Sequence, residues 1–354
     1  MQLILKDGTK IEGENFGANS EVAGEVVFST GMVGYPETFT DPSFEGQILV
    51  LTYPLIGNYG VPEEIINKKT NLSDNFESEK PHIVGLIVTE YSHNYSHYQA
   101  KKSLSEWLKE YNIPALTGID TRTLTQYLRE NGSTLGKIVK SDKSKCNFVD
   151  PNKRNLVADV SIKEPIHYKA GKKHVAFVHT GAKNNIIRSF LERNISLTVF
   201  PWDYDVFSTK EKFDGLFIAN GPGDPELLTP IHQNIQKAFA MKLPTFGICL
   251  GNQLMAIAAG AKTYKMKYGH RGQNQPCIDL ETGKCYLTVQ NHGFVVDPKT
   301  LPNNWSVWFE NANDGTVEGI RHKKFPFMSV QFHPEASPGP TDTNYLFDKF
   351  IKMI

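Results

Sequence analysis

Thr245-Phe246-Gly247-Ile248-Cys249-Leu250-Gly251-Asn252-Gln253-Leu254 decides the reading of this chain. An apolar run meets a cysteine with a glycine two residues to each side, and a helical pattern begins at once. Such a turn needs backbone room, which glycine provides, and it presents a nucleophile at a sheet edge as other nucleophile elbows do. The helix behind it puts partial positive charge beside the sulfur, which suits a thiolate. An arbitrary intracellular cysteine is more often a buried structural residue. The Gly-x-Cys-x-Gly setting reverses that expectation for Cys249, whereas Cys146, Cys277 and Cys285 lack it.

Working outward from this stretch, strand and helix patterns alternate. Val175–Val178, Leu197–Phe200, Gly215–Ala219 and Pro244–Ile248 read as strands. Helices are expected over Asn184–Arg193, Pro230–Met241 and from about Asn252 to Ala259. The alternation predicts an α/β fold with a mostly parallel sheet flanked by helices, whose sites form at the carboxyl ends of strands. Two further motifs fall at such ends. In Phe327-Met328-Ser329-Val330-Gln331-Phe332-His333-Pro334-Glu335 a strand delivers His333, and Glu335 follows two residues on. A cysteine nucleophile needs a base, and the base needs an orienting group. Most of the eleven histidines should be surface or structural, but this one has both the position and the carboxylate. Asn220-Gly221-Pro222-Gly223-Asp224-Pro225 follows a strand of the same sheet, and its amides are placed to face an oxyanion.

The remainder bounds the molecule. The 354 residues suffice for two domains. With 40% hydrophobic and 21% charged residues the chain is a folded soluble protein. Lys plus Arg and Asp plus Glu are 38 each, so no bulk charge draws it to nucleic acid or an anionic membrane. No apolar run is long enough to span a bilayer, and the N-terminus meets a charge too early for a signal peptide, so a cytoplasmic location is expected. Four cysteines make no disulfide framework, and no Cys/His spacing predicts a metal site. No GxxxxGK[ST] nucleotide loop is present. Residues 1–150 read as a separate mixed α/β domain, with strands at Gln47–Tyr53 and His82–Val88 and helices at Ser103–Tyr111 and Thr121–Asn131. Residues 151–172 read as a linker, and 173–354 as the second domain.

Together, Gly-Pro-Gly-x-Pro, Gly-x-Cys-x-Gly-x-Gln and His-Pro-Glu resemble the class I (triad) glutamine amidotransferase pattern over residues 173–354. The segment from Gly31 to Phe44, its continuation to Gly60, and Gly118-Ile119-Asp120-Thr121-Arg122 are similar to the N-terminal domain of carbamoyl phosphate synthetase small subunits. Read without the resemblance, Gly31–Gly60 is a strand pair joined by turns. The resemblance implies that Cys249 forms a γ-glutamyl thioester, that His333 shuttles protons and that Glu335 orients it. It implies L-glutamine contacts at Ser43, Gly221, Gly223, Leu250, Gln253, Asn291, Gly293 and Phe294. The implied partner is a large synthetase subunit that makes carbamoyl phosphate, for arginine or pyrimidine synthesis, from ATP, magnesium and bicarbonate. This chain would itself hold no cofactor, and alone would hydrolyse glutamine slowly.

Two positions depart from the family pattern. Asn252 stands where His is usual, and His179-Thr180-Gly181 stands where Asp-Phe-Gly is usual. Rival readings are another class I amidotransferase, a module that has lost catalysis, and a thiol peptidase with an open groove.

Overall fold

The structure, a computed structural model, describes residues 1–354, which form two compact units, Met1–Lys153 and Arg154–Ile354. No helix is long and apolar enough to cross a membrane.

The first unit is built on an eight-stranded mixed sheet. Its spatial order is Lys10–Glu12, Gln2–Leu5, Thr134–Val139, Val22–Ser29, Gln47–Leu51, Gly85–Ile87, Ala115–Thr117, Glu14–Asn15. The expected strands are present, each shorter than its apolar run. The expected helices are present too. Leu104–Glu110 is opened by a capping box between Ser103 and Glu106, and Thr121–Asn131 is opened by the Asp120 carboxylate, which accepts from the Thr123 amide. Phe39, Leu49, Leu86, Leu104 and Trp107 lie in one apolar cluster beneath the sheet. The expectation of a strand pair over Gly31–Gly60 is corrected in its first half. Tyr35–Phe39 is a short helix and Pro42–Phe44 a 3₁₀ turn, and only Gln47–Leu51 joins the main sheet. Proline at the first turn of each and the left-handed Gly34 start the helical turns where a strand would otherwise begin.

The second unit carries a ten-stranded sheet. The order is Ile166–Tyr168, Ser196–Pro201, His174–His179, Gly215–Ile218, Thr245–Ile248, Phe327–Val330, Val317–His322, Trp305–Asn311, Thr263–Asp279, Cys285–Val296. The five strands from Ser196–Pro201 to Phe327–Val330 are mutually parallel, as the alternating pattern predicts. Antiparallel strands extend this parallel centre on both sides. The segment expected as a linker therefore has structure of its own. Ile166–Tyr168 pairs with Ser196–Pro201 and supplies the edge strand.

Helices Asn184–Glu192 and Thr229–Ala240 connect parallel strands, and Leu250–Ala258 leads from Thr245–Ile248 into the antiparallel Thr263–Asp279. The last helix begins two residues sooner than the sequence suggests, directly on Cys249. It is buried from Leu250 to Ala256, so its stability comes from packing rather than from solvent-facing side chains.

The strand-to-helix turn is tight enough to dictate its glycines. A Cβ at 247 would sit 2.6 Å from the Gly251 carbonyl carbon and oxygen, and one at 251 would collide with the Ile218 carbonyl oxygen. The positive φ belongs to neither glycine. It belongs to Cys249 itself, at φ 55 and ψ −103, a conformation that costs a non-glycine residue on the order of 1–3 kcal/mol. The glycines thus serve close approach, and the cysteine carries the strain. Gly251→Ala should therefore destabilise the second unit by about 2 kcal/mol through overpacking against backbone that cannot yield. This is measurable as a lowered urea midpoint, and an unchanged midpoint would contradict it.

Candidate active site

The site is assembled by the pairing of two neighbouring parallel strands. Ile248 is opposite Val330, and the Cys249 amide donates to the Val330 carbonyl at 2.8 Å. This register carries Cys249 and Gln331 off adjacent strand ends, with His333 two residues further on. The His333 amide donates to the Val289 carbonyl at 2.8 Å, which ties the turn to the strand Cys285–Val296.

Cys249, His333 and Glu335 are all buried, at 2%, 1% and 1% exposure. His333 Nδ1 lies 2.6 Å from Glu335 Oε1, so that nitrogen carries the proton toward the carboxylate and Nε2 faces the other way. Nε2 engages no protein oxygen or nitrogen. Besides Glu335, the Cys249 sulfur acts on the ring through its charge. Burial alone would push the imidazole down, but Glu335 and then Cys249 outweigh it and hold it well above the ordinary histidine range. The ring is thus kept as an imidazolium beside the sulfur.

Sequence reasoning missed the residue that keeps Glu335 ionised. Lys183 directly precedes the helix Asn184–Glu192. Its Nζ lies 3.1 Å from Glu335 Oε1 and also donates to the Ala336 carbonyl. Burial would raise the Glu335 carboxyl, and Lys183, followed by His333, pulls it far down instead. The Lys183 side chain is only 3% exposed, so neither charge of this pair is compensated by water. Its position just beyond a strand end of the parallel centre was the available signal.

The departure at 179–181 also finds a role. The buried Thr180 hydroxyl donates to the Ala219 and Asn220 carbonyls at 2.9 and 2.8 Å, and Asn220 Oδ1 accepts from the Lys183 amide at 3.1 Å. These bonds fix the Gly221–Gly223 loop. A side chain at 221 would collide with the Thr180 carbonyl, and Gly223 has φ +89. Leu250 supplies the first amide of the helix, one of those that an α-helix leaves without an internal acceptor.

Asn291, Gly293 and Phe294 lie on Cys285–Val296. The Asn291 carbonyl lies 3.7 Å from Cys249 Sγ, and the Phe294 carbonyl accepts from Gln253 Nε2 at 2.8 Å. The structure therefore brings Gly221, Gly223, Leu250, Gln253, Asn291, Gly293 and Phe294 to the loops and strands around the triad. Ser43 belongs to the other unit. It is buried in the Pro42–Phe44 turn, where its amide donates to Asp41 Oδ1 at 2.9 Å.

Beside this strand lies a buried charged cluster that no spacing along the chain signals, because three separate strands supply it. Ligand-type atoms of His270, His292 and Glu318 lie within 4.8 Å of one another, a spacing that would suit a divalent cation. The cluster also closes as an ion-pair network. His270 Nδ1 is 3.3 Å from Glu318 Oε1 and its Nε2 is 2.9 Å from Asp314 Oδ2. His292 Nδ1 donates to the Phe294 carbonyl at 3.0 Å. Burial would lower the His270 imidazole, but the Asp314 and Glu318 carboxylates raise it to about 9.

The class of the second unit is that of the class-I glutamine amidotransferases, whose family model matches residues 177–353. A second family model, carbamoyl-phosphate synthase small chain, CPSase domain, matches residues 3–138. Over 99% of its length the chain is 49% identical to the arginine-specific carbamoyl phosphate synthase small chain of Saccharomyces cerevisiae, and it covers 87% of that protein. It is 54% identical to multifunctional protein CAD of Squalus acanthias and 52% identical to multifunctional protein pyr1-3 of Dictyostelium discoideum. It spans only 16% and 17% of those two lengths. The chain belongs to the carbamoyl-phosphate synthase small-chain family.

The ion-pair cluster gives a pH test. The folded His270 value lies above the unfolded one, so its stabilisation is full below about pH 6.5 and disappears as pH rises through about 9. Wild-type stability should fall across that window. His270→Gln should cost ~3 kcal/mol at pH 6, the usual result of breaking a buried pair, and should lack most of this slope. Urea midpoints between pH 6 and 9.5 check it, and parallel slopes in the two proteins would refute the ion-pair description.

Proposed function

We propose that this chain hydrolyses L-glutamine and hands ammonia to a synthetase polypeptide, which uses ATP, magnesium and bicarbonate to make carbamoyl phosphate. The observation that carries the proposal is the buried series of alternating charge Lys183–Glu335–His333, set against a cysteine, Cys249, on a strained nucleophile turn.

In this reading the Cys249 thiolate attacks the γ-carboxamide carbon, forming a C–S bond while the π electrons move to oxygen. The Leu250 amide and the amides of the Gly221–Gly223 loop stabilise that oxyanion. His333 gives its proton to the departing nitrogen, the C–N bond breaks, and neutral ammonia leaves a γ-glutamyl thioester. His333, now neutral, takes a proton from water as the water attacks the thioester. Collapse of the second tetrahedral species expels the thiolate and yields glutamate. Glu335 holds the ring by Nδ1 throughout and stabilises each imidazolium. Asn291, Gly293, Phe294 and Gln253 then serve as contacts for the zwitterionic end of glutamine.

Ammonia must travel unprotonated, because ammonium has no lone pair with which to attack. Delivery to a partner inside a closed passage suits that need better than release to water. Association with that partner is the proposed role of the first unit. The burial of Cys249 and His333 disfavours the peptidase alternative, which needs an open groove. An inactive module is disfavoured by a complete triad.

Cys249→Ser in the assembled complex should abolish glutamine-dependent carbamoyl phosphate synthesis and preserve synthesis from added ammonia. Loss of both would reduce Cys249 to a structural part. For Ser43 the proposal rests on the family pattern alone. Ser43→Ala should raise the KM for glutamine several-fold with a smaller change in kcat, and an unchanged KM would remove Ser43 from the contacts.

A further inference from the structure

Gln331 stands outside the triad yet touches its nucleophile. Its amide donates to the Glu318 carbonyl at 2.8 Å, and its side chain is fully buried. The carboxamide oxygen accepts from two side-chain NH₂ groups, Asn252 Nδ2 at 3.2 Å and Gln253 Nε2 at 3.2 Å. The carboxamide nitrogen lies 3.7 Å from Cys249 Sγ.

This orientation is dictated rather than chosen. Oxygen and nitrogen of an amide are assigned from their partners, and turning this one over would set its NH₂ against two other donors. The donors are themselves anchored. Asn252 Oδ1 accepts from the Ser329 hydroxyl at 2.8 Å, which turns Asn252 Nδ2 toward Gln331. Gln253 Nε2 is held by the Phe294 carbonyl at 2.8 Å. The polarity thus runs one way, from Ser329 through Asn252 and Gln331 to the sulfur.

We propose that Gln331 is a further catalytic residue, whose carboxamide N–H stabilises negative charge on the Cys249 sulfur. The inference rests on the glutaminase reading for its role in turnover, but the contact with sulfur does not depend on it. A thiolate is a far better acceptor than a thioester sulfur, so the bond acts at two moments. It holds the sulfur as an anion before attack, and it stabilises the thiolate as leaving group when the second tetrahedral species collapses. Position 252 acquires a defined task at the same time: it must offer an N–H to Gln331 Oε1. Asparagine does so here, and histidine can do so, so Asn252 is compatible with a working site.

The test is the pH profile of Cys249 alkylation by iodoacetamide, followed by mass spectrometry of the Cys249 peptide, which needs no glutamine. Gln331→Glu keeps the shape and accepts from Asn252 and Gln253 but removes the N–H aimed at sulfur. Alkylation at pH 7 should slow about tenfold, with the profile moved toward higher pH. Asn252→Asp removes a donor without touching the sulfur, and should shift the profile in the same direction by less, while Asn252→His should leave it near wild type. In glutamine hydrolysis Gln331→Glu should lower kcat more than it changes KM. Profiles of folded Gln331→Glu and Asn252→Asp that coincide with wild type, or move to lower pH, overturn the inference. Should Gln331→Glu fail to fold, Asn252→Asp decides alone. A shifted profile in a chain that never hydrolyses glutamine would uphold the contact with sulfur and refute the glutaminase reading instead.

Discussion

The site depends on one constraint, the parallel register in which Ile248 lies opposite Val330. Two chains leave a sheet side by side, one into a helix and the other into a tight turn. Their exits carry Cys249, Gln331 and His333 at neighbouring positions. A slip of one residue in either strand would exchange inward and outward side chains. The apolar residues Phe246, Ile248, Met328 and Val330, all buried, oppose any such slip. Hydrophobic burial, which has no directional chemistry of its own, thereby sets the directional chemistry of the site.

The second dependence is on backbone that lies too close for side chains. Gly247, Gly251 and Gly221 each sit where a Cβ would meet a neighbouring main chain. Together they let the nucleophile turn, the parallel centre and the Gly221–Gly223 loop approach within van der Waals distance. The strain at Cys249 persists because the surroundings over-determine it: strand pairing holds its amide, and a wholly packed helix follows.

Much of this was legible in the sequence, for reasons that differ by residue. Cys249, His333 and Glu335 announce themselves because Cys249 directly follows one strand and the other two lie three and five residues beyond its neighbour, so local pattern and chemistry coincide. The parallel strands were readable from apolar runs between helices. Lys183 and Gln331 were not singled out, because a lysine before a helix and a glutamine in an apolar strand have ordinary local explanations, and only the fold aims them at the triad. The His270–His292–Glu318 cluster is farther from reach still, since its members are neighbours only through two antiparallel hairpins. Tyr35–Phe39 was misread because aromatic residues favour strands, while the proline inside it and the left-handed glycine before it favour a helical turn. The supposed linker was misread because Ile166–Tyr168 is an edge strand with two exposed residues, and polar composition masks strand character where one side meets water.

The sequence of charges at the triad has a consequence for the reaction coordinate. On the reaction course proposed above, lysine, glutamate, imidazolium and an attacking thiolate sum to zero. Once ammonia has left, lysine and glutamate remain charged while the imidazole and the thioester are both neutral, and the sum is still zero. With water attacking, imidazolium and oxyanion reappear together. Every covalent state on that course therefore presents the same net charge to the apolar interior, although one proton leaves the ring with ammonia and another reaches it from water. An interior that polarises poorly resists the appearance of an isolated charge. On that course positive and negative charge appear and vanish in pairs, so no unpaired charge is left in the interior.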